Sequence, residues 1–222
     1  FKKRFIDLVS NSKTLGVYSL EDSPLKIAQQ RELQSELDEL IKVHDLIIVS
    51  DYGHGFISAD IAHAISSADI FSSLNAQINA ANIGYHTMDN YHGIDCAIIN
   101  ESELRHEFRD RRSDLTELAR KLLLSSGADH LVVTQGSSGA TLYRADSDQV
   151  HSCPAFAGKV VDKVGSGDAM LALLSCCLYA KVNLDLSLLI GSLAAAQTVE
   201  TIGNSVSVNK VQLLKSLQYM VK

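Results

Sequence analysis

Two aspartates bracket a run of small residues in VDKVGSGDAM, residues 161–170, just ahead of the apolar, helix-forming DAMLALLSCCLYA. Gly165, Ser166 and Gly167 fall where that helix begins. Their amides are therefore among the N–H groups that a helix leaves without internal partners, and they can face an anion. Asp168 falls in the first helical turn, where a carboxylate is electrostatically favoured. Two roles fit it: a helix-dipole and capping partner, or a base at the edge of a phosphate cradle.

Three strand ends upstream offer partners for that cradle. Asp51 closes LIIVSD, where a carboxylate either caps the following turn or faces a ligand at the carboxyl end of a parallel strand. In NESE, residues 100–103, Asn100 ends an apolar run and Glu103 lies one turn into the next helix. The pair is either a capping box or a crevice group in which Glu103 holds hydrated Mg²⁺. In TQGSSGATL, residues 134–142, Gly136 and Gly139 belong either to a hairpin turn or to a phosphate-facing loop, where missing Cβ atoms let backbone amides approach an anion. In a parallel sheet these groups gather on one edge.

The elements that must position them alternate. FKKRFIDL and KTLGVYSL, joined by the turn-like VSNS, suggest an antiparallel ribbon. PLKIAQQRELQSELDELIKV places Ile27, Leu33, Leu37, Leu40 and Ile41 at helical spacing, and DLIIVSDYGHG reads as a buried parallel strand. ADIFSSL is a weaker strand and IDCAIIN another, followed by helices over ESELRHEFRD and DLTELARKLLLSS. HLVVTQG is a strand, ATLYRA and DQVHSC suit a hairpin, and helices around 166–181, 184–199 and 208–219 follow. Strands alternating with helices predict an α/β domain whose largely parallel sheet is covered on both faces, with the helical tail on one of them.

Composition narrows the ligand. The chain has 222 residues, 46% of them hydrophobic, and a net charge of −6, which argues against a nucleic-acid surface and for a small molecule. No apolar stretch reaches membrane-spanning length and FKKRFIDLVS is not a secretory signal, so the chain reads as cytoplasmic with no membrane partner. Cys96, Cys153, Cys176 and Cys177 lack metal-site spacing and are expected as reduced thiols.

The order N-E-S-E, T-Q-G-S-S-G, D-K-V-G-S-G-D resembles the ribokinase family, also called the pfkB-type carbohydrate kinases, whose last motif usually reads D-T-x-G-A-G-D; Asp162, Gly165, Gly167 and Asp168 match it. SDYGHG resembles the D-Y-G-K-G of heptose-7-phosphate kinases, and NAQINAANIGYHT resembles kinase domains fused to a cytidylyltransferase-like nucleotidyltransferase. The resemblance implies a ribokinase-like α/β fold with a small antiparallel lid ribbon. It implies one such domain over residues 1–222, with residues 1–20 a lid remnant, residues 21–222 the nucleotide-binding core, and the usual first β-α-β segment absent.

The implied chemistry is transfer of a phosphoryl group from ATP, with Mg²⁺, to a sugar or sugar phosphate. Asp168 would be the base, and the amides of Gly165, Ser166 and Gly167 would stabilise charge on the transferring group. Asn100 and Glu103 match the family's N-x-x-E, which places Mg²⁺ and phosphates. Thr134, Gly136 and Gly139 match the loop along the nucleotide's phosphates and ribose, and AAAQTVETIGNS resembles the family's helix and turn beside the adenine, which implies Gly203 and Asn204 as its contacts. The resemblance of SDYGHG implies that Asp51 and His54 fall on the acceptor side.

The chain also departs from the pattern. Lys163 and Val164 replace the usual threonines, His54 stands where the heptose kinases have lysine, and MDNYHG replaces their D-P-K. These departures motivate a second expectation, a kinase fold kept as a nucleotide-binding or dimerising module, with a homodimer formed through exposed ribbon edges. A nucleotidyltransferase site within this chain is not expected, because no H-x-G-H motif is present.

Overall fold

A computed structural model describes residues 2–7, 13–19, 21, 23–78, 82, 87–202 and 205–220. The turn expected at VSNS, together with Gly203 and Asn204, lies outside the described residues.

The ribbon forms as expected. β1 (Lys2–Ile6) pairs antiparallel with β2 (Lys13–Tyr18) as a separate two-stranded sheet. The main sheet has six strands in chain order: β3 (Leu46–Asp51), β4 (Phe71–Ala76), β5 (Cys96–Asn100), β6 (His130–Thr134), β7 (Ala140–Arg144) and β8 (Ser147–Cys153). The first four are parallel; β6–β7 and β7–β8 are antiparallel, as the hairpin reading requires.

Burial on both faces follows from the two-residue period of a strand. Along β5 and β6, Ala97, Ile99, Leu131 and Val133 enter one core, while Cys96, Ile98 and Val132 enter the other. The first core is closed by α2 (Ala59–Ser67), α3 (Glu101–Glu107) and α4 (Leu115–Ser126), which contribute Ile61, Ile65, Leu104, Leu118 and Leu122. The second is closed by α5 (Ser166–Tyr179) and α6 (Leu184–Val199), through Met170, Leu171, Leu174 and Leu188. The helical tail ends with α7 (Lys210–Met220). Among the described residues no helix is long and apolar enough to cross a membrane.

Two elements depart from expectation. α2 was not anticipated, because nine residues of mostly small side chains give a faint stripe; Ser58 starts it by accepting a hydrogen bond from the Ile61 amide. β3, read as a buried strand, is the edge of the described sheet, pairing with β4 alone, and its Ile48 is 40% exposed. An apolar run reports hydrophobicity but not how many neighbours a strand has. α1 (Ile27–Ile41) forms where its stripe predicts, yet only Leu33 and Leu37 pack against the core while Ile27 and Leu40 stay exposed.

Side-chain bonds fix the ends of these strands. Asp51 is buried and accepts hydrogen bonds from the Tyr91 hydroxyl (2.8 Å) and the Gly53 amide (2.9 Å). Burial, helped by the Asp51 carboxylate, pushes the Tyr91 phenol well above its ordinary range, so it remains a donor. Elsewhere, Glu107 at the end of α3 accepts from the Met88 amide (3.3 Å), and its second oxygen is buried without a hydrogen-bond partner. Burial pushes its pKa up from 4.5 to about 7.

That shift sets a sign. A carboxyl whose folded pKa is raised favours folding while protonated; the contribution is complete below the unfolded value of 4.5 and is lost as pH rises through about 7. Glu107→Gln removes the titration. The variant is expected to gain stability over the parent as pH goes from 5 to 8, by on the order of 2 kcal/mol, read as diverging urea midpoints. Parallel curves at the two pH values would contradict the assignment.

Candidate active site

Parallel pairing lines up the strand ends named above. Asn100 stands opposite Thr134 across β5 and β6, and Ser50 and Asp51 stand opposite Asn75 and Ala76 across β3 and β4. α5 crosses β3, β4 and β5 on one face and begins at this edge.

The start of α5 differs from that of its neighbours. α2, α3, α4 and α6 are capped by the side chains of Ser58, Asn100, Asp114 and Asn183. At α5 the N-cap is Gly165, in the left-handed region at φ +83°, with no side-chain cap. The first helical bond runs from the Ala169 amide to the Gly165 carbonyl (2.9 Å), so the amides of Ser166, Gly167 and Asp168 precede the ladder. A Cβ built on Gly167 meets no protein atom closer than Asn75 Nδ2, at 4.0 Å. Packing therefore does not demand glycine there. Its bareness leaves open approach to the backbone, as anion binding requires.

Beside this helix start lies a pocket of about 450 Å³ lined by Thr134, Gly136 and Gly139 on the β6–β7 side and by Ser166 and Gly167 on the α5 side. The two sequence motifs thus share one cavity. Phe156, Val160, Ala196 and Val199 give it an apolar wall, and Lys163 adds a cation to the lining. Lys163 is visible in the sequence only as a departure from threonine, and nothing local signals that it reaches the pocket. Gly139 has a structural reason to be glycine: φ is +95°, and a Cβ would come within 2.0 Å of the Cys153 carbonyl oxygen. The wider cleft beside α3, about 1000 Å³ and lined by Arg105, Arg109, Arg111 and Arg112, contains none of the expected site residues.

Asp168 sits in the first turn of α5 and its carboxylate takes two hydrogen bonds from the end of β3: Ser50 Oγ donates to Oδ1 (2.9 Å) and the Tyr52 hydroxyl to Oδ2 (3.1 Å). Residues 50 and 52 share a face of the strand and residue 51 takes the other. Asp51 therefore points into the core toward Tyr91, and the bonds it accepts from Tyr91 and Gly53 serve the strand end and its turn. Ser50 and Tyr52 were missed in the sequence, because strand pleat and a contact spanning 116 to 118 residues decide their role. His54 lies in the turn between the left-handed Gly53 and Gly55.

Asn100 and Glu103 form the capping box. Asn100 Oδ1 accepts from the Glu103 amide (2.9 Å), and Glu103 Oε2 accepts from the Asn100 amide (3.0 Å). The other Glu103 oxygen accepts from the Ile78 amide (3.2 Å), tying the loop after β4 to α3. Glu103 is 5% exposed, and burial raises its pKa against the pull of those amides. Each oxygen accepts one backbone bond and keeps a second lone pair, so the carboxylate can still accept from the waters of a hydrated cation. No cluster of three metal-ligating side chains occurs among the described residues.

Comparisons with known proteins place the chain by family and fold. The chain is 25% identical over 202 residues to the bifunctional protein HldE of Trichlorobacter lovleyi, covering 89% of this chain and 40% of that protein. It is 28% identical over 210 residues to HldE of Paramagnetospirillum magneticum, covering 93% and 42%. The chain thus spans about 40% of the length of these curated relatives. Among solved structures, phosphofructokinase-2 from Escherichia coli in complex with substrates and products superposes with a TM-score of 0.78 at 16% identity, over 100% of this chain and 71% of that one. Arabidopsis thaliana ribokinase complexed with ribose and ATP gives 0.69 at 18% identity, over 82% and 59%. Both share the fold, a mostly parallel sheet between helices. The family model described as pfkB family carbohydrate kinase matches residues 26–210, a span that includes the strand ends, the pocket and the start of α5, and the chain therefore belongs to that family.

Proposed function

We propose that this chain carries the phosphotransfer site of an ATP-dependent kinase acting on a hydroxyl of a sugar or sugar phosphate. The observation that carries the reading is the juxtaposition of Asp168 with an uncapped helix start that opens into a pocket lined by Thr134, Gly136, Gly139 and Gly167. In this mechanism the apolar wall holds the nucleotide's base and the glycines admit its phosphates. The amides of Ser166 and Gly167 meet the charge that builds on the transferring group, helped by the α5 dipole and by Lys163. Asp168 accepts the acceptor hydroxyl's proton as its oxygen attacks the terminal phosphorus. Phosphoryl transfer asks mainly for such positioning and charge stabilisation.

Asn100 and Glu103 act by fixing the β5–α3 junction beside the phosphates. Glu103, beside the phosphates, would hold Mg²⁺ through its waters, and the ion would supply neutralisation of phosphate charge. Gly203 and Asn204 complete the adenine side. Asp51 shapes the acceptor side through Tyr91 and Gly53, and places His54 in the turn that follows. The SDYGHG stretch extends the reading to a heptose-phosphate-like acceptor, against which stand His54 in place of lysine and MDNYHG in place of D-P-K; the whole protein joins this kinase to a nucleotidyltransferase, and the reaction runs in the cytoplasm. The 25% and 28% identity to proteins described as bifunctional supports the joining of a second activity. Residues 1–222 act as one kinase unit, with the ribbon as its lid.

Two variants separate chemistry from folding. Asp168→Asn is expected to keep MgATP binding in calorimetry and to lower acceptor-dependent ADP release about 10²–10⁴-fold; a parental rate would exclude Asp168 as the base. Gly167→Ala gains helix propensity, up to about 1 kcal/mol, and is expected to melt no lower than the parent while binding MgATP more weakly. Unchanged affinity would mean that the phosphates lie elsewhere.

A specific observation also favours pairing of two copies through the ribbon: Phe5, Ile6, Leu15, Val17 and Tyr18 are all exposed on it. Exposed apolar side chains on a two-stranded ribbon with open edges suit an interface. The chain is expected to sediment as a dimer and Leu15→Glu as a monomer; a monomeric parent at high concentration would refute the pairing.

A further inference from the structure

We propose that Tyr52 is a gate on the catalytic base: its hydroxyl occupies the place of the acceptor hydroxyl on Asp168 and withholds that carboxylate from water until an acceptor displaces it. The inference rests on the kinase reading above and deepens it.

A general base works only on a hydroxyl within hydrogen-bond reach. In this structure both oxygens of Asp168 already hold one, Ser50 Oγ at 2.9 Å and the Tyr52 hydroxyl at 3.1 Å. The two donors are differently mounted. Ser50 lies within the paired part of β3, opposite Asn75, so its hydroxyl is fixed with the strand and orients the carboxylate. Tyr52 is the first residue past the strand. Asn82 Nδ2 holds its backbone carbonyl at 2.9 Å, while the residue is 39% exposed. Backbone and ring are therefore held separately: Asn82 holds the carbonyl, and an outward turn of the ring gives up the hydroxyl's contacts with Asp168 and Ser50 without breaking the β3–β4 ladder. Burial raises the Tyr52 phenol's pKa, so at neutral pH it donates a proton in the bond to Asp168.

The consequence concerns water. With an exposed oxygen on Asp168, a water molecule could attack the terminal phosphorus. The new O–P bond would form, the bond to the ADP oxygen would break with its electron pair, and the water's proton would pass to Asp168, giving ADP and phosphate. A tethered phenol competes with water for that oxygen at high effective concentration. A lone water offers one hydrogen bond in exchange and nothing to offset moving the ring. A bound sugar offers the same bond plus contacts along its body, so it can displace Tyr52. The balance then repeats with the sugar oxygen as nucleophile and phosphosugar as product. Tyr52 is thus a gating residue, and Ser50 a positioning residue for Asp168.

The test needs no knowledge of the sugar. ADP release from MgATP is measured without acceptor for the parent chain, Tyr52→Phe, Ser50→Ala and Tyr52→Phe combined with Asp168→Asn, with MgATP affinity measured in parallel. Tyr52→Phe is expected to raise acceptor-free release about tenfold, the equivalent of one charge-assisted hydrogen bond, with affinity unchanged. Ser50→Ala is expected to lower it, and adding Asp168→Asn to abolish the gain. Damage to the fold can only lower the rate, and Tyr52→Leu, which removes ring and hydroxyl together, must move it in the same direction as Tyr52→Phe. Release at or below the parental rate in Tyr52→Phe, with MgATP still bound, overturns the gate and leaves the kinase reading standing. So does mass-spectrometric detection of phosphate on Tyr52 of the parent, which would make the phenol an acceptor. Failure of every protein, parent included, to bind MgATP overturns the kinase reading and the gate with it.

Discussion

The amides at the start of α5 have no partner inside the helix, and no side chain caps them. Everything around the site accommodates that constraint. A helix end buried against protein would have to satisfy these donors internally; this one opens into a pocket, where a solvent or ligand oxygen can reach them. Gly165 makes the turn into the helix at φ +83°, and Gly167 keeps the approach bare. Asp168 then sits where its charge is favoured by the dipole, next to the site an anion would take. A carboxylate and unpartnered amides able to face an anion therefore arise from one helical turn.

Holding that turn at the strand ends requires a stiff sheet, and the two cores supply it. Alternate residues of β5 and β6 commit to opposite faces, so the sheet cannot slip by one residue without exchanging cores. Below α5, Asn75 ties its amide to the Ile98 carbonyl (3.0 Å), bridging β4 and β5 at the level of Gly167. On the far face, the Asn100–Glu103 capping box and the Glu103 bond to Ile78 join β5, α3 and the loop after β4. The bland reading of NESE is thus the observed geometry, and it contributes to the site by setting where its wall stands.

Much of this was legible in the sequence, for a physical reason. Backbone chemistry is written locally: glycines at a strand–helix junction, a cap three residues from its partner, apolar residues at a fixed period. The strands, all helices but α2, and the meeting of Thr134, Gly136 and Gly139 with Ser166 and Gly167 follow from such signals. The surroundings of Asp51 and Asp168 did not follow, because they depend on side chains brought together over long separations. Asp51 is 40 residues from Tyr91, and Ser50 is 118 from Asp168. SDY offered its aspartate as the conspicuous residue, yet the pleat turned that carboxylate into the core and presented the two hydroxyls instead. Lys163 likewise reads as a lost threonine until the pocket shows what it lines.

The edge position of β3 and the exposure of Tyr52 belong together. In the middle of a sheet, the residue after a strand end is flanked by the ends of two neighbours; β3 has a described neighbour on one side only. Its backbone is anchored on that side, through the Gln77 amide to the Asp51 carbonyl (2.8 Å) and through Asn82 to Tyr52. The residue itself is 39% exposed. An apolar run at an edge leaves Ile48 partly in water, which is a cost a central strand would avoid. The same placement gives the Asp168 carboxylate one hydroxyl partner on the paired strand, Ser50, and another just past its end, Tyr52. A central β3 would have buried Ile48 better and flanked Tyr52 on both sides.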